Sequence, residues 1–511
     1  MNQRWVVALL TLSLAVFSSC AVAATGPESV RDLIIIGLEE NIGLRVEQLN
    51  IPLRAATVVI DESVFDPEFF ASVGYLKTRT PLTSYLSLAA PSNSQQLTGQ
   101  LGLRKRYSSG LTASLSLDTD WGEDNNPTED LDPRYHSAFN LTLTQPLLRD
   151  FGAKVNRSSV QLSRNQYQQA ELQHLLQAQR LALQIEVLAG QLAGEAEIVQ
   201  LRTEAVALSE ELYAANQRRF DAGIIPVSEV QEAETALADR ELGRSLAQQA
   251  RELHFAQLNR QLNHRLPGDF NPLSLYALDS GDLQLQLPEF EQLFVAACEL
   301  SVDLRLAEIA IKSSNIQQDF YRNQLRPRLD LQLQAGLNGL SGNGRSSAVN
   351  SRYAGSWGDS FVGAATGDGY QWGGGLEFSM PLGNRLARSR LQQAELQRKQ
   401  ANYRQQDIKS ELRSQLEQQL TNLRRAFEQV KIAERFEHLA ELSLQQEQRR
   451  LEEGLSDTFR ILSFQDKMIS AKIGRINALI LYYSSVAELN FTRGNILEQH
   501  GITLQKRGEI P

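Results

Sequence analysis

A chain of 511 residues, 42% hydrophobic and 22% charged, has material for several folded modules. Its net charge of −9 argues against nucleic acid as a main partner, and two cysteines cannot build a disulfide framework. Its 15 prolines are few and clustered, which leaves long stretches free of them.

The N-terminus reads as a targeting segment. Arg4 supplies a positive start, Val6 to Phe17 is an apolar run too short to span a bilayer, and Ala21-Val22-Ala23 is a small-residue cleavage site. Residues 1–23 are therefore expected to be a signal peptide. Cys20, in "FSSC", offers a second reading as a lipidation site, but Phe17 is unusual in such a processing box. Cleavage near Ala23 is preferred, and the mass of the mature N-terminus decides between the two. No later segment has the roughly 20 apolar residues of a transmembrane helix.

From there the chain repeats itself. "IIIGLEENIGLRVEQLNI", Ile34 to Ile51, aligns without gaps on "FVAACELSVDLRLAEIAI", Phe294 to Ile311, at an offset of 260. Glu39 meets Glu299, Leu44-Arg45 meets Leu304-Arg305, and Pro67 meets Pro327. Further on, Pro146 and Pro381 stand at an offset of 235, and two glycine turns at 231. The second half thus lacks 25 strand-like residues, and 4 more within a helix, about one turn. The expected organisation is a first repeat over 28–264, a linker over 265–288, a second repeat over 289–498 and a tail over 499–511.

Each repeat opens with a helical segment and continues into strands, over about 68–147 in the first and 328–381 in the second. Phe69 to Tyr75 is a weak run. Leu97, Leu101 and Leu103 alternate with polar residues, as do Leu111, Ala113, Leu115, Leu117 and Trp121. So do Phe139, Leu141 and Leu143; Leu329, Leu331, Leu333 and Leu337; and Trp372, Leu376, Phe378 and Met380. A period of two with one apolar face makes a sheet with one face out of water. A soluble sandwich fits these runs taken alone. Polar partners such as Asp118, Gln332 and Glu377, with aromatics toward the run ends, fit an outer-membrane barrel. Long loops over Thr80–Gln95, Gly122–Tyr135 and Asn338–Gly369, against a tight turn at Tyr107–Gly110, point the same way.

Long helical hairpins follow, over 153–264 and 384–498. No proline lies between Pro146 and Pro226 or between Pro381 and Pro511. Leu181, Ile185, Leu188, Leu192 and Val199 share one face; Leu412, Leu416, Leu420, Leu423, Phe427 and Val430 step by four and three. The longest helix in each hairpin is expected to reach about 100 Å. The turns "RFDAGIIPVSEV", Arg219 to Val230, and "RLEEGLSDTFRI", Arg450 to Ile461, close them. Gly223 and Gly454 suit the left-handed position after a helix, and Arg218-Arg219 and Arg449-Arg450 suit the negative helix end. Pro226 blocks continuation, and Ser228 with Gln231 forms a capping-box pattern for the return helix.

Catalytic motifs are missing, no cofactor or metal is implied, and the chain is not expected to be an enzyme. The six histidines lack metal-ligand spacing, "GDGYQWGGG" lacks the context of a phosphate loop, and Cys298 reads as a small buried hydrophobe.

The motifs "FDPEFFASVGY" (Phe65 to Tyr75), "TQPLLRDFG" (Thr144 to Gly152), the two glycine hairpins and "AELNFTRGNIL" (Ala487 to Leu497) carry a resemblance. Over roughly 30–498 the chain resembles the TolC-like outer-membrane efflux and secretion channels. That resemblance implies a mixed α and β, internally duplicated protomer. Three protomers would make one outer-membrane β-barrel continued into a long α-helical barrel through the periplasm. The implied role is the passive exit duct of a tripartite efflux or type I secretion system for drugs, small molecules or proteins. Its partners would be a periplasmic adaptor and an inner-membrane transporter of RND, ABC or MFS type. Carried onto this chain, the adaptor-docking tips are Gly223, Ile224 and Ile225, and Gly454, Leu455 and Ser456. Asp221, Glu452 and Glu453 are the candidates for the periplasmic aperture. The chain departs from the family in one respect. Four strands per protomer are usual, and six are read here. Either the trimer closes a wider barrel or the hairpin Leu97 to Trp121 lies outside it. A stand-alone porin would lack the duplicated helices, and a periplasmic coiled-coil scaffold would lack the strands.

Overall fold

The structure is a computed structural model and describes residues 27, 29–81, 91–125, 129–268, 270–276, 288–344, 353–453 and 455–503. Residues 1–23 with Cys20, half of the linker, Gly454 and the side chain of Glu452 lie outside the described residues.

In chain order the elements are α1 (Val30–Glu40), α2 (Ile42–Glu62), β1 (Glu68–Thr80), β2 (Ser92–Arg106), β3 (Thr112–Asp124) and β4 (Leu131–Pro146). Then come a turn of helix, α3 (Ala153–Asn156), and a helical pair, α4 (Ser158–Asp221) and α5 (Val227–Leu262). The second half runs α6 (Phe290–Leu300), α7 (Val302–Gln324), β5 (Arg328–Gly344), α8 (Trp357–Thr366), β6 (Gly369–Ser379), α9 (Arg385–Glu452), α10 (Thr458–Arg493) and α11 (Ile496–Gln499). With 64 and 68 residues, α4 and α9 each extend about 100 Å.

The sequence repeat at offset 260 has a local cause. Asn41 ends α1, and its side chain caps the Leu44 amide at 2.9 Å. Ser301 does the same between α6 and α7 for Leu304. Beyond each cap an arginine folds back, Arg45 onto the Glu39 carbonyl and Arg305 onto the Glu299 carbonyl, both at 2.9 Å. Each pair satisfies helix-end groups that water would otherwise have to serve.

All six strands form one antiparallel sheet in the order β1-β2-β3-β4-β5-β6. The hairpin Leu97–Trp121 is therefore part of the sheet. Its register lines the apolar positions into rows. One row is Phe69, Leu103, Leu115, Leu141, Ala335 and Trp372; the next is Ala71, Leu101, Leu117, Phe139, Leu337 and Tyr370. Large members of these rows, such as Phe69, Leu115 and Trp372, are exposed. The opposite face carries a polar chain. Gln100 donates to Asp118, Asn140 donates to Asp118, and Gln371 donates to Asn140 at 3.1 Å, reaching over Gly336.

The strands run further than their alternating sequence. β3 continues to Asp124, β4 starts at Leu131 and β5 continues to Gly344, so the loops read from the sequence are shorter. The segment Asn338–Gly369, expected to be loop, contains α8, which Ser356 and Asp359 start with a reciprocal capping box. This helix packs on the apolar side of β4 and β5. There Ser360 bonds Ser137 at 2.7 Å, and Trp357 donates to Thr119 while stacking on Tyr135 at 6.1 Å. Contact is possible because residue 339 is glycine. A Cβ there would stand 2.2 Å from the Ala364 amide nitrogen and the Ser360 carbonyl oxygen. Gly339→Val is expected to lift α8 off the sheet at a cost of about 1–3 kcal/mol. A red shift of Trp357 fluorescence measures the displacement; an unshifted spectrum would count against this packing.

Two cores hold the helices. Leu33, Ile34, Ile185, Leu192, Leu258 and Leu262 pack α1 between α4 and α5. Leu293, Leu416, Leu420 and Leu479 pack α6 between α9 and α10. Ile198, Val199, Ala247 and Ile476 join the two hairpins. Below the sheet the helices lie side by side, α2 against α4, α4 against α7 and α7 against α9. That layer has two free edges, and both carry exposed apolar residues: Leu49, Leu53 and Ile60 on α2, Leu386, Leu396 and Tyr403 on α9. The sheet edges follow the same plan, since β1 continues from α2 and β6 leads into α9.

Candidate functional site: the paired hairpin tips

At the far end of α4 the helix stops by a glycine-based double hydrogen bond. Gly223 takes φ +71°, its N–H donates to the Phe220 carbonyl at 2.8 Å, and the Ile224 N–H donates to the Arg219 carbonyl at 2.9 Å. This pairing absorbs carbonyls that the helix end leaves free. The α9 end repeats the second of these bonds, with Leu455 donating to the Arg450 carbonyl at 2.8 Å. The sequence offset of 231 maps Ile224 onto Leu455 and Arg219 onto Arg450, so the same bond forms twice.

The return helices start differently. Val227 is the first residue of α5, behind Pro226, which supplies no side-chain cap. Ser228 therefore lies inside the helix, and the capping box expected of Ser228 and Gln231 does not form. Proline fixes φ near a helical value and its missing N–H costs nothing at a helix start, which moves the start two residues back. In the second tip Asp457 caps α10 by accepting from the Arg460 amide at 2.8 Å.

Each tip presents apolar side chains to solvent. Ile224 is 71% exposed and Leu455 64%, with Val227 and Phe459 beside them. Ile225 and Ser456 are half-buried. The Ser456 hydroxyl turns inward to Glu447, a buried carboxylate that Arg460 also meets at 3.0 Å. Of the acidic candidates, Asp221 is exposed and accepts from Gln217 on its own helix, and Glu453 is exposed.

Among the described residues, the ties between the two hairpins are made by others. Nearest the tips, Thr458 donates to the Glu229 carboxylate at 3.0 Å, and Asn216 donates to the Thr458 hydroxyl at 3.4 Å. Higher up, Arg240 is 2% exposed. Its guanidinium reaches Ser209 and the Ala205 carbonyl on α4, and Gln465 and Asp466 on α10. Higher still, Arg475 bridges Glu437 at 2.7 Å and Glu197 at 3.0 Å. Burial pushes the Glu197 carboxyl above its usual range, against the pull of Arg475. The sequence gives little sign of these residues, because an arginine in a glutamine-rich helix reads as solvated surface. Arg240→Met is expected to leave Ser209 and Gln465 buried without their donor, a loss of about 2–3 kcal/mol. Faster amide exchange in the tip ends of α5 and α10 measures it; unchanged exchange would show that Arg240 ties nothing.

The site offers apolar knobs and hydrogen-bonded helix ends, with no nucleophile–base arrangement among the described residues. Nor do those residues include a group of three or more His, Cys, Asp and Glu that could hold a metal. The model of the family described as outer membrane efflux protein matches residues 293–495. No curated protein matches the chain. Among solved structures the chain is similar to the outer-membrane channel OprN, at 17% identity and TM-score 0.66, over 92% of this chain and 90% of that one. It is similar to CusC, whose structures are described for folding and transmembrane channel formation, at 13% identity and TM-score 0.65, over 91% of this chain and 92% of that one. It is also similar to the CmeC outer membrane channel of Campylobacter jejuni, at 15% identity and TM-score 0.62, over 91% and 86%.

Proposed function

We propose, from the match of residues 293–495 to the outer membrane efflux protein model and from the fold shared with solved outer-membrane channels, that the protein is a passive exit duct. Three protomers close a barrel in the outer membrane and a helical tunnel in the periplasm. The hairpin tips meet a periplasmic adaptor, which joins them to an inner-membrane transporter of RND, ABC or MFS type. Small molecules, drugs or secreted polypeptides pass through.

One observation carries this reading. The sheet and the helix layer beneath it each have two open edges, and those edges coincide. β1 and β6 have unpaired backbone on their outer sides, and α2 and α9 carry exposed leucines below them. An unpaired strand edge invites another strand, and exposed apolar stripes invite burial. A second and third copy satisfy both demands together. The one-faced apolar sheet then has lipid to meet, and its polar face lines water. For docking, the support is the exposed Ile224 and Leu455 on rigid, hydrogen-bonded ends, which suit the apolar groove of a helical partner.

Fractionation with native mass spectrometry tests the duct. Recovery from outer membranes in detergent as a trimer is the expected result. A soluble periplasmic species, or a monomer in mild detergent, would overturn it.

A further inference from the structure

We propose that all six strands of each protomer enter the membrane barrel, so that three protomers of six strands close an eighteen-stranded exit as wide as the helical tunnel below it. The inference rests on the trimeric duct proposed above.

Three observations place the hairpin β2–β3 in the wall. First, β1 pairs with β2 and β3 pairs with β4, so the hairpin stands between β1 and the rest of the sheet. Its facing agrees with both neighbours. Leu103 and Leu115 fall in the apolar row between Phe69 and Leu141. A hairpin folded outside a wall would not need this agreement, because a slip of one residue would turn every side chain over. Second, the polar face is bonded through the hairpin. The chain Gln100–Asp118–Asn140–Gln371 runs from β2 through β3 and β4 to β6. Asp118 of the hairpin thus accepts from its own β2 and from β4 of the main sheet.

Third, the widths agree. Helices pack about 8–10 Å apart, so the layer α2–α4–α7–α9 is about 32–40 Å across. Strands about 4.8 Å apart and tilted about 40° each occupy about 6.3 Å of circumference. Six of them span about 38 Å, matching the four helices beneath; four would span about 25 Å and force the duct to narrow at the membrane. Round the trimer, eighteen strands give a backbone diameter of about 36 Å, against about 24 Å for twelve. The exit therefore does not sieve cargo more finely than the tunnel does.

The test compares the full chain with an in-frame deletion of residues 92–124, which removes β2 and β3 and leaves β1 and β4 antiparallel. Both are purified from outer membranes, weighed by native mass spectrometry and viewed end-on by electron microscopy. The expected result is two trimers whose barrel rings differ about 1.5-fold in diameter. Two trimers with equal rings would overturn the wide exit and leave the duct standing, whereas a full chain that is not a trimer would overturn the duct itself. Should the deletion fail to assemble, a reconstruction of the full-length trimer decides: eighteen strands in the ring support the inference, and any smaller number defeats it.

Discussion

Leu141→Arg is expected to empty the outer membrane of trimer, while Thr142→Arg, one residue away, leaves both trimer level and export near normal. Leu141 stands in the apolar row with Leu115 and Ala335, on β4 inside the sheet. Thr142 stands on the opposite face, opposite Ser114 and Gln334. If the apolar face meets lipid, an arginine near the membrane midplane costs about 2–4 kcal/mol per chain, and each trimer incurs that three times. On the water-lined face the same guanidinium keeps its hydration and costs little. Quantitative blotting of the heat-sensitive trimer band in outer-membrane fractions reads the difference. Equal loss from both substitutions would mean that both faces are buried in protein, as in a soluble sandwich. Equal tolerance would mean that neither face meets lipid.

The second large effect belongs to the tips. Ile224→Asp combined with Leu455→Asp is expected to abolish export while trimer level stays normal. Both side chains are exposed in the protomer, so folding loses little when they become polar. Burying each against an adaptor would contribute about 1.5–3 kcal/mol, and a carboxylate in the same place opposes docking instead. With two tips per protomer the loss compounds around the ring. Gly223→Val tests the same site through the backbone. At φ +71° a Cβ would meet no atom within 4 Å, so the strain comes from the left-handed conformation alone, about 1–2 kcal/mol. Gly454→Val is the matching change in the second tip. Export is measured in a strain lacking other ducts. Normal export with normal trimer in all of these variants would reduce the turns to helix ends and remove the adaptor from the proposal.

Within single elements the sequence was a reliable guide, because periodicity reports which way a side chain faces along its own strand or helix. Leu111 to Trp121 alternates, and the sheet register puts Leu115, Leu117 and Trp121 on one face. The steps Leu412, Leu416, Leu420 and Leu423 mark a seam, and all four are buried. The turn at Gly223 was legible as well, since a left-handed residue after a long helix has few alternatives to glycine.

What the sequence left open depends on partners far away along the chain. Alternation cannot say which strand lies beside which, and only the pairing of β1 with β2 and β3 with β4 put the extra hairpin inside the sheet. α8 was hidden in a Gly- and Ser-rich stretch. Its placement rests on Gly339 having no Cβ and on a Ser137–Ser360 bond across 223 residues of sequence. Arg240 looked like solvent-facing charge, yet it is buried by α4 and by an α10 that starts more than 200 residues later, and it is satisfied by groups on both. Ser228 carried a capping signal that lost to Pro226, because a ring with φ already fixed starts a helix without a side-chain bond. Local facing is set by bonds within a turn or a pleat, and the sequence records it directly. Strand neighbours, buried polar partners and close backbone contacts are set by whichever segments the fold brings together, and the tertiary structure alone decides those.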